Sequence, residues 1–253
     1  MEKDQYKLGL VSVSFRQHSP KEILEATKRA GLSCIEWGSD VHAPCHDVER
    51  LVEIAALQEE YGICCSSYGT YFKFGKHSVD ELEAYIKAAK LLGTNVLRLW
   101  CGRTSGAEMT DAERQTLLGD CRRAAALAET YGVMLCMECH QKTFTERAED
   151  AIWLMGSVAS PHFRMYWQPF CEETPAENLT RAKMLAPRTE HLHVFNWKGD
   201  AMLPLGDAVE EWRSYLASFS TPRTLLLEFM PDGRIESLPA EAAALMRITG
   251  GDK

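Results

Sequence analysis

No apolar run in the chain approaches the about 18 residues that would mark a membrane-spanning helix. The opening Met1-Glu2-Lys3-Asp4-Gln5 lacks the hydrophobic core of a secretory signal. The expectation is a protein of the cytoplasm with no membrane partner. Positive charge is also scarce: 28 Lys and Arg against 36 Asp and Glu leave a net charge of −8. No local basic patch offsets it, so a nucleic-acid partner is not expected. No early Gly-x-Gly-x-x-Gly loop follows a strand, which argues against a dinucleotide-dependent dehydrogenase. No Pro/Gly-rich linker or low-complexity tract interrupts the chain, and residues 1–253 read as one domain. Cysteine is not scarce, with nine, but they are scattered and no export signal accompanies them, so reduced thiols are expected. Cys136 and Cys139 fall within one strand-like run, where residues three apart face opposite ways, so no redox pair is read there.

What the chain has in quantity is alternation. β-rich runs at Lys7–Ser14, Cys34–Gly38, Gly62–Tyr68, Asn95–Cys101, Val133–His140, Arg164–Gln168, His191–Phe195 and Thr224–Met230 are separated by amphipathic segments. Their starts lie 27 to 38 residues apart, one strand-helix unit each time. Strict alternation predicts a parallel sheet, and a chain of about 250 residues with eight such units predicts closure into a (β/α)8 barrel of the TIM type. An open, doubly wound sheet is the alternative.

Helix starts are marked by Ser19-Pro20-Lys21-Glu22, Ser78-Val79-Asp80-Glu81 and Thr110-Asp111-Ala112-Glu113, each a capping box. Gly31, Gly93 and Gly132 suit the ends of those helices. Later helices are expected over Asn178–Ala186, Asp207–Phe219 and Pro239–Ile248. The longer connections Gly69–His77, Gly102–Met109 and Asn196–Gly206 follow strands three, four and seven, where a barrel builds its site. The aromatic stretch from Tyr68 to Phe74 could cover a small ligand.

Strand five, Leu135-Cys136-Met137-Glu138, and strand eight, Leu225-Leu226-Leu227-Glu228, each finish an apolar run on a carboxylate. A carboxylate turned into a barrel must be paired, protonated or metal-bound. Strand seven puts His191 and His193 on one face, and strand six ends near Gln168. Glu138, Gln168, one of these histidines and Glu228 form a donor set suited to Mn2+ or Mg2+, and able to hold Zn2+ or Co2+. The competing reading makes both glutamates buried ion-pair partners of Arg98 or Lys198. Trp37, Trp100, Trp167 and Trp197 read individually as core or rim packing.

The order of these residues, with Leu8-Gly9-Leu10-Val11-Ser12, Ile35-Glu36-Trp37-Gly38, His191-Leu192-His193 and Leu227-Glu228-Phe229, resembles the sugar phosphate isomerase/epimerase family with its xylose isomerase-like barrel. The resemblance implies one divalent metal on Glu138, Gln168, His193 and Glu228, with Glu138 and Glu228 as the catalytic acid and base. It implies isomerisation or epimerisation of a small sugar, sugar phosphate or related polyol-ketone through an enediolate. This chain departs from the family at strand six, where aspartate followed three residues later by histidine is usual and Gln168 and Cys171 stand instead. Loss of one carboxylate weakens metal binding. The same barrel also resembles inosose and dehydroshikimate dehydratases, and a non-catalytic carbohydrate-binding barrel without metal stays open. By position, Glu36, His42, Arg98, Trp100, Asn196 and Lys198, with Trp197, are expected to bind substrate. A homodimer or homotetramer stays open, since no motif fixes an interface.

Overall fold

Glycine, capping residues and alternating apolar side chains fix the local structure of the computed structural model, which describes residues 6–220 and 223–250. Eight strands run parallel and close on themselves. They are β1 (Lys7–Val11), β2 (Cys34–Gly38), β3 (Cys64–Lys73), β4 (Val96–Trp100), β5 (Met134–Glu138), β6 (Phe163–Trp167), β7 (Thr189–Val194) and, after a two-stranded ribbon of β8 (Trp197–Lys198) and β9 (Ala201–Met202), β10 (Thr224–Leu227). The barrel order is β1-β2-β3-β4-β5-β6-β7-β10, returning to β1. Eight helices accompany it among the described residues: α1 (Pro20–Arg29), α2 (Val48–Tyr61), α3 (Leu82–Leu91), α4 (Asp111–Tyr131), α5 (Ala148–Val158), α6 (Pro175–Leu185), α7 (Val209–Leu216) and α8 (Leu238–Ile248). None is long and apolar enough to cross a membrane.

Strand alternation divides the core in two. Ile35, Trp37, Leu97, Leu135, Met137, Trp167, Leu192, Leu225 and Leu227 join the large apolar cluster shared with the helices. Val11, Cys34, Cys136, Tyr166 and Leu226 form a smaller one within the barrel. Trp37 and Trp167 belong to the outer layer. The Trp37 indole donates to Gln58 Oε1 of α2 at 2.7 Å, and Trp167 packs edge-on against Trp212, Tyr215 and Phe219. Both are packing residues.

The capping boxes at Ser19 and Thr110 open α1 and α4. The one at Ser78 opens a short 3-10 turn that leads into α3. A fourth, Thr174 with Glu177, starts α6 at Pro175, three residues before the expected Asn178. Beyond strand three, the chain continues as sheet to Lys73 where a loop had been expected from Gly69, because β3 extends past β2 along β4. The loop expected at Asn196–Gly206 contains the ribbon of β8 and β9.

Two glycines make opposite predictions. A Cβ on Gly9 would lie 2.5 Å from the backbone oxygen and Sγ of Cys34 and 2.9 Å from Leu226, all inside the barrel. Gly9→Ala is expected to destabilise by about 1–3 kcal/mol through overpacking, read as a lower urea midpoint. Gly119, exposed on α4 with open space around it, has no such obstacle. Gly119→Ala is expected to raise the midpoint by roughly 0.5–1 kcal/mol of stability through helix propensity.

Candidate functional site

Inward-facing positions at the C-terminal ends of β2, β4, β5, β7 and β10 converge on one buried group of charges. Glu36 and His193 are fully buried, and Arg98, Glu138 and Glu228 nearly so. Arg98 is the organising cation. Its Nε donates to Glu36 Oε1 at 2.8 Å and its Nη1 to Glu138 Oε2 at 2.5 Å. The Trp100 indole also donates to Glu138 Oε2, while Ser67 Oγ donates to Glu36 Oε2 at 3.0 Å. Gly69 makes this possible, since a Cβ there would stand 2.6 Å from Glu36 Oε1 and 2.8 Å from Arg98 Nη2.

His193 faces the other side of the group. Its Nδ1 lies 3.0 Å from Gln168 Oε1, 3.3 Å from Glu228 Oε2 and 3.6 Å from Glu138 Oε1. Its Nε2 lies 3.5 Å from Glu36 Oε1. Donors held about 2.1 Å from one cation stand about 3.0 Å apart at right angles and about 3.4 Å apart at tetrahedral angles. The Gln168 and Glu228 oxygens fall in that range from Nδ1 and the Glu138 oxygen lies just beyond it, and one donor atom each from Glu138, His193 and Glu228 lies within 4.8 Å of the others. Charge points the same way. Three carboxylates and one guanidinium leave two negative charges around a neutral His193, which one divalent cation would balance. The residues fit such an ion, with Glu36 placed behind His193 to orient the imidazole.

The titration shifts follow from the same crowding. Burial would raise the pKa of Glu36 and of Glu138, but the Arg98 guanidinium and the His193 ring together outweigh it and hold both below the usual carboxylate range. Burial would lower that of His193, yet Glu228 and Glu36 drive it well above the ordinary histidine value. Without a metal the imidazolium supplies part of the missing positive charge. A cation must displace that proton, so apparent metal affinity rises with pH.

Above this group opens a cavity of about 410 Å³ lined by Glu138, Gln168 and Glu228 at its floor. Tyr71, Trp100 and His140 form one wall, with Tyr71 and Trp100 rings 5.5 Å apart and Trp100 and His140 rings 5.0 Å apart. Phe195, Trp197 and Phe229 form another. Phe229 holds φ +60, a left-handed conformation unfavourable for an aromatic residue, and its N–H donates to Ser14 Oγ at 2.8 Å. The chain thus turns away immediately after Glu228.

Of the residues expected to bind substrate, Arg98, Trp100 and Trp197 line the cavity. Glu36 is enclosed beneath it by Arg98, Ser67 and His193. His42 is buried against Ser12 Oγ and His18 O. The Asn196 amide donates to Pro204 O, bracing its own loop. Lys198 points to Glu211 at 2.8 Å on the surface and pairs with neither glutamate. The ion-pair reading of Glu138 with Arg98 is met, and that of Glu228 is not: among the described residues its close partner is His193. Arg16, Gln141, Glu172 and Phe229 line the cavity without having been anticipated. Phe229 adjoins the strand-eight carboxylate and was within reach of the sequence, but no local signal distinguishes Arg16, Gln141 or Glu172.

Removing Arg98 tests the charge balance. Arg98→Met is expected to cost about 3–5 kcal/mol in metal-free protein by stranding two buried carboxylates. Saturating Mn2+ should restore part of that stability. Thermal unfolding with and without the ion measures both, and an Arg98→Met protein as stable as wild type without metal would contradict the balance.

Comparison with known proteins agrees with this architecture. A curated relative, 3-dehydroshikimate dehydratase from Bacillus anthracis, is 22% identical over 211 residues, covering 75% of this chain and 71% of the relative. The crystal structure of the probable 3-DHS dehydratase involved in petrobactin synthesis from Bacillus anthracis superposes with a TM-score of 0.79 at 18% identity, over 95% of this chain and 98% of that one. A xylose isomerase-like TIM barrel protein from Mycobacterium smegmatis in complex with magnesium gives 0.74 at 13% identity, over 99% of both chains. D-Psicose 3-epimerase with D-tagatose from Clostridium cellulolyticum H10 gives 0.68 at 14% identity, over 96% and 98%. At these identities the structural likeness shows the fold. The family described as xylose isomerase-like TIM barrel matches residues 24–247, and the chain belongs to that family.

Proposed function

We propose that the protein is a divalent-metal-dependent enzyme that removes a proton next to the carbonyl of a small polyhydroxylated compound. The observation that carries this reading is the set of three oxygens from Glu138, Gln168 and Glu228 around His193 Nδ1, at the floor of a cavity of ligand size. A divalent cation held by these four residues, Mn2+ or Mg2+ by the hardness of the oxygen donors and Zn2+ or Co2+ by the imidazole, would supply Lewis acidity toward a substrate carbonyl.

The chain's own contribution is a base, a shaped wall and exclusion of water. Glu228 lines the cavity and its carboxylate receives neither a guanidinium nor an indole N–H among the described residues, which suits it to take the proton. Glu138 differs. Arg98 and Trp100 both occupy its Oε2, and its Oε1 faces His193, so it is held as an ionised, fixed carboxylate. The aromatic walls offer flat apolar faces to the C–H side of a polyol. Arg98, reaching the cavity from below, can favour the negative charge that develops on the substrate oxygen.

Two fates of the resulting carbanion equivalent fit one site. If Glu138 returns the proton, the outcome is isomerisation or epimerisation, with the two glutamates as acid and base. If the electrons expel a neighbouring hydroxyl, protonated as it leaves, the outcome is dehydration. The unequal surroundings of the two carboxylates favour the second, because elimination needs one carboxylate as base and not two that exchange roles. The similarity to a dehydroshikimate dehydratase supports dehydration, and that to an epimerase supports the first outcome.

Incubating the manganese-loaded protein with hydroxy-ketones and cyclic polyol-ketones in D2O, followed by NMR, separates these outcomes. Exchange at the carbon beside the carbonyl is expected, with either an epimer or an unsaturated product. Glu228→Gln should lower the exchange rate by about 10²–10⁴ while leaving the fold intact. Undiminished exchange in that variant would overturn the assignment of the base.

A further inference from the structure

Two cysteines face one another at the opposite end of the barrel from the cavity. Cys34 opens β2, Cys64 opens β3, and the strand register pairs them directly. Neighbouring strands lie about 4.8 Å apart, within the Cα separation of roughly 4.4–6.8 Å that a disulfide requires. Each thiol shifts the titration of the other. Cys34 is buried, its sulfur seated in the space left by Gly9. Cys64 is exposed, with its Sγ 3.5 Å from Ser33 O. The adjacent Cys34 thiol holds the Cys64 thiol below the usual cysteine range, with the Lys7 ammonium adding to the effect.

The other cysteines lack this combination of access and partner. Cys101 also shifts the titration of Cys121, but both are buried. Cys45 and Cys171 are half-buried, and burial pushes each thiol up, Cys171 to about 11. An accessible thiol of thiolate character beside a second thiol is the arrangement that reacts with oxidants and then closes.

We propose that Cys64 and Cys34 form a thiol-oxidation site, with Cys64 as the attacking sulfur, Cys34 as the resolving sulfur, and hydrogen peroxide as the oxidant. The Cys64 thiolate attacks one peroxide oxygen, the O–O bond breaks, and hydroxide leaves to become water, giving a sulfenic acid. The Cys34 sulfur then attacks the Cys64 sulfur, the S–O bond breaks, and a second water leaves. Two thiols lose two electrons and two protons, and one peroxide becomes two waters. The new bond joins strands already paired, so the sheet keeps its register.

The test is peptide mapping without reductant after treatment with one equivalent of hydrogen peroxide and alkylation of remaining thiols. The expected product is one peptide pair joined through Cys34 and Cys64 and released by dithiothreitol, with Cys45 and Cys171 recovered alkylated. In untreated protein, iodoacetamide should label Cys64 on the order of tenfold faster than Cys45 or Cys171. Cys34→Ser should let Cys64 proceed to sulfinic acid, and Cys64→Ser should leave Cys34 reduced. Oxidation of Cys171 or Cys45 ahead of Cys64 would overturn the proposal. So would oxidised Cys64 in the wild type without the joined peptide, a result that needs no variant to fold.

Discussion

Three carboxylates buried around one guanidinium are the constraint on which the C-terminal end of the barrel depends. Isolated charges in such surroundings would neutralise or unfold the protein. Glu36, Glu138 and Glu228 remain because each has a counter-charge: Arg98 for the first two, and His193 for the third in the absence of metal. Several features of the sequence serve this arrangement. Gly69 leaves space for the Glu36 and Arg98 side chains, Ser67 meets the second oxygen of Glu36, and Trp100 caps Glu138.

The arrangement also gives the two strand-end glutamates different characters. They look alike in sequence, each ending an apolar run. In the folded chain Glu138 is held at one oxygen by two donors, whereas Glu228 stands at the cavity edge beside His193 and ahead of the sharp turn at Phe229. Equivalent strand positions thus become a carboxylate held by a guanidinium and an indole and one held by neither. The difference comes from neighbouring strands, since Arg98 and Trp100 lie on β4 beside β5.

That is also why the sequence reveals the barrel more fully than the site. Strand alternation and capping boxes are local, and they place the barrel strands within their expected runs, apart from β6 and β7, which begin earlier at Phe163 and Thr189, and the extension of β3 to Lys73, whose pairing with β4 is non-local. Glu138 and Glu228 stand out in the sequence because a carboxylate ending a buried strand is itself a local anomaly, whereas His193 is preferred to His191 only through the family resemblance. Residues outside that pattern were less legible. Lys198 lies next to the site in sequence but turns to Glu211 through the ribbon of β8 and β9, and Asn196 braces that same segment. Glu36 was placed at the right strand end, yet only the packing of Arg98 across it shows that it sits beneath the cavity. Arg16 reaches the mouth through contacts with Asp40 and Tyr71, which are 24 and 55 residues away in the chain.

The most direct test of the charge-balance account is calorimetric titration of chelator-treated protein with Mn2+ in buffers of different ionisation enthalpy. The account predicts about one ion bound per chain at neutral pH, with release of about one proton as the His193 imidazolium gives up its proton in favour of the ion. Absence of binding, or binding without proton release, would contradict it.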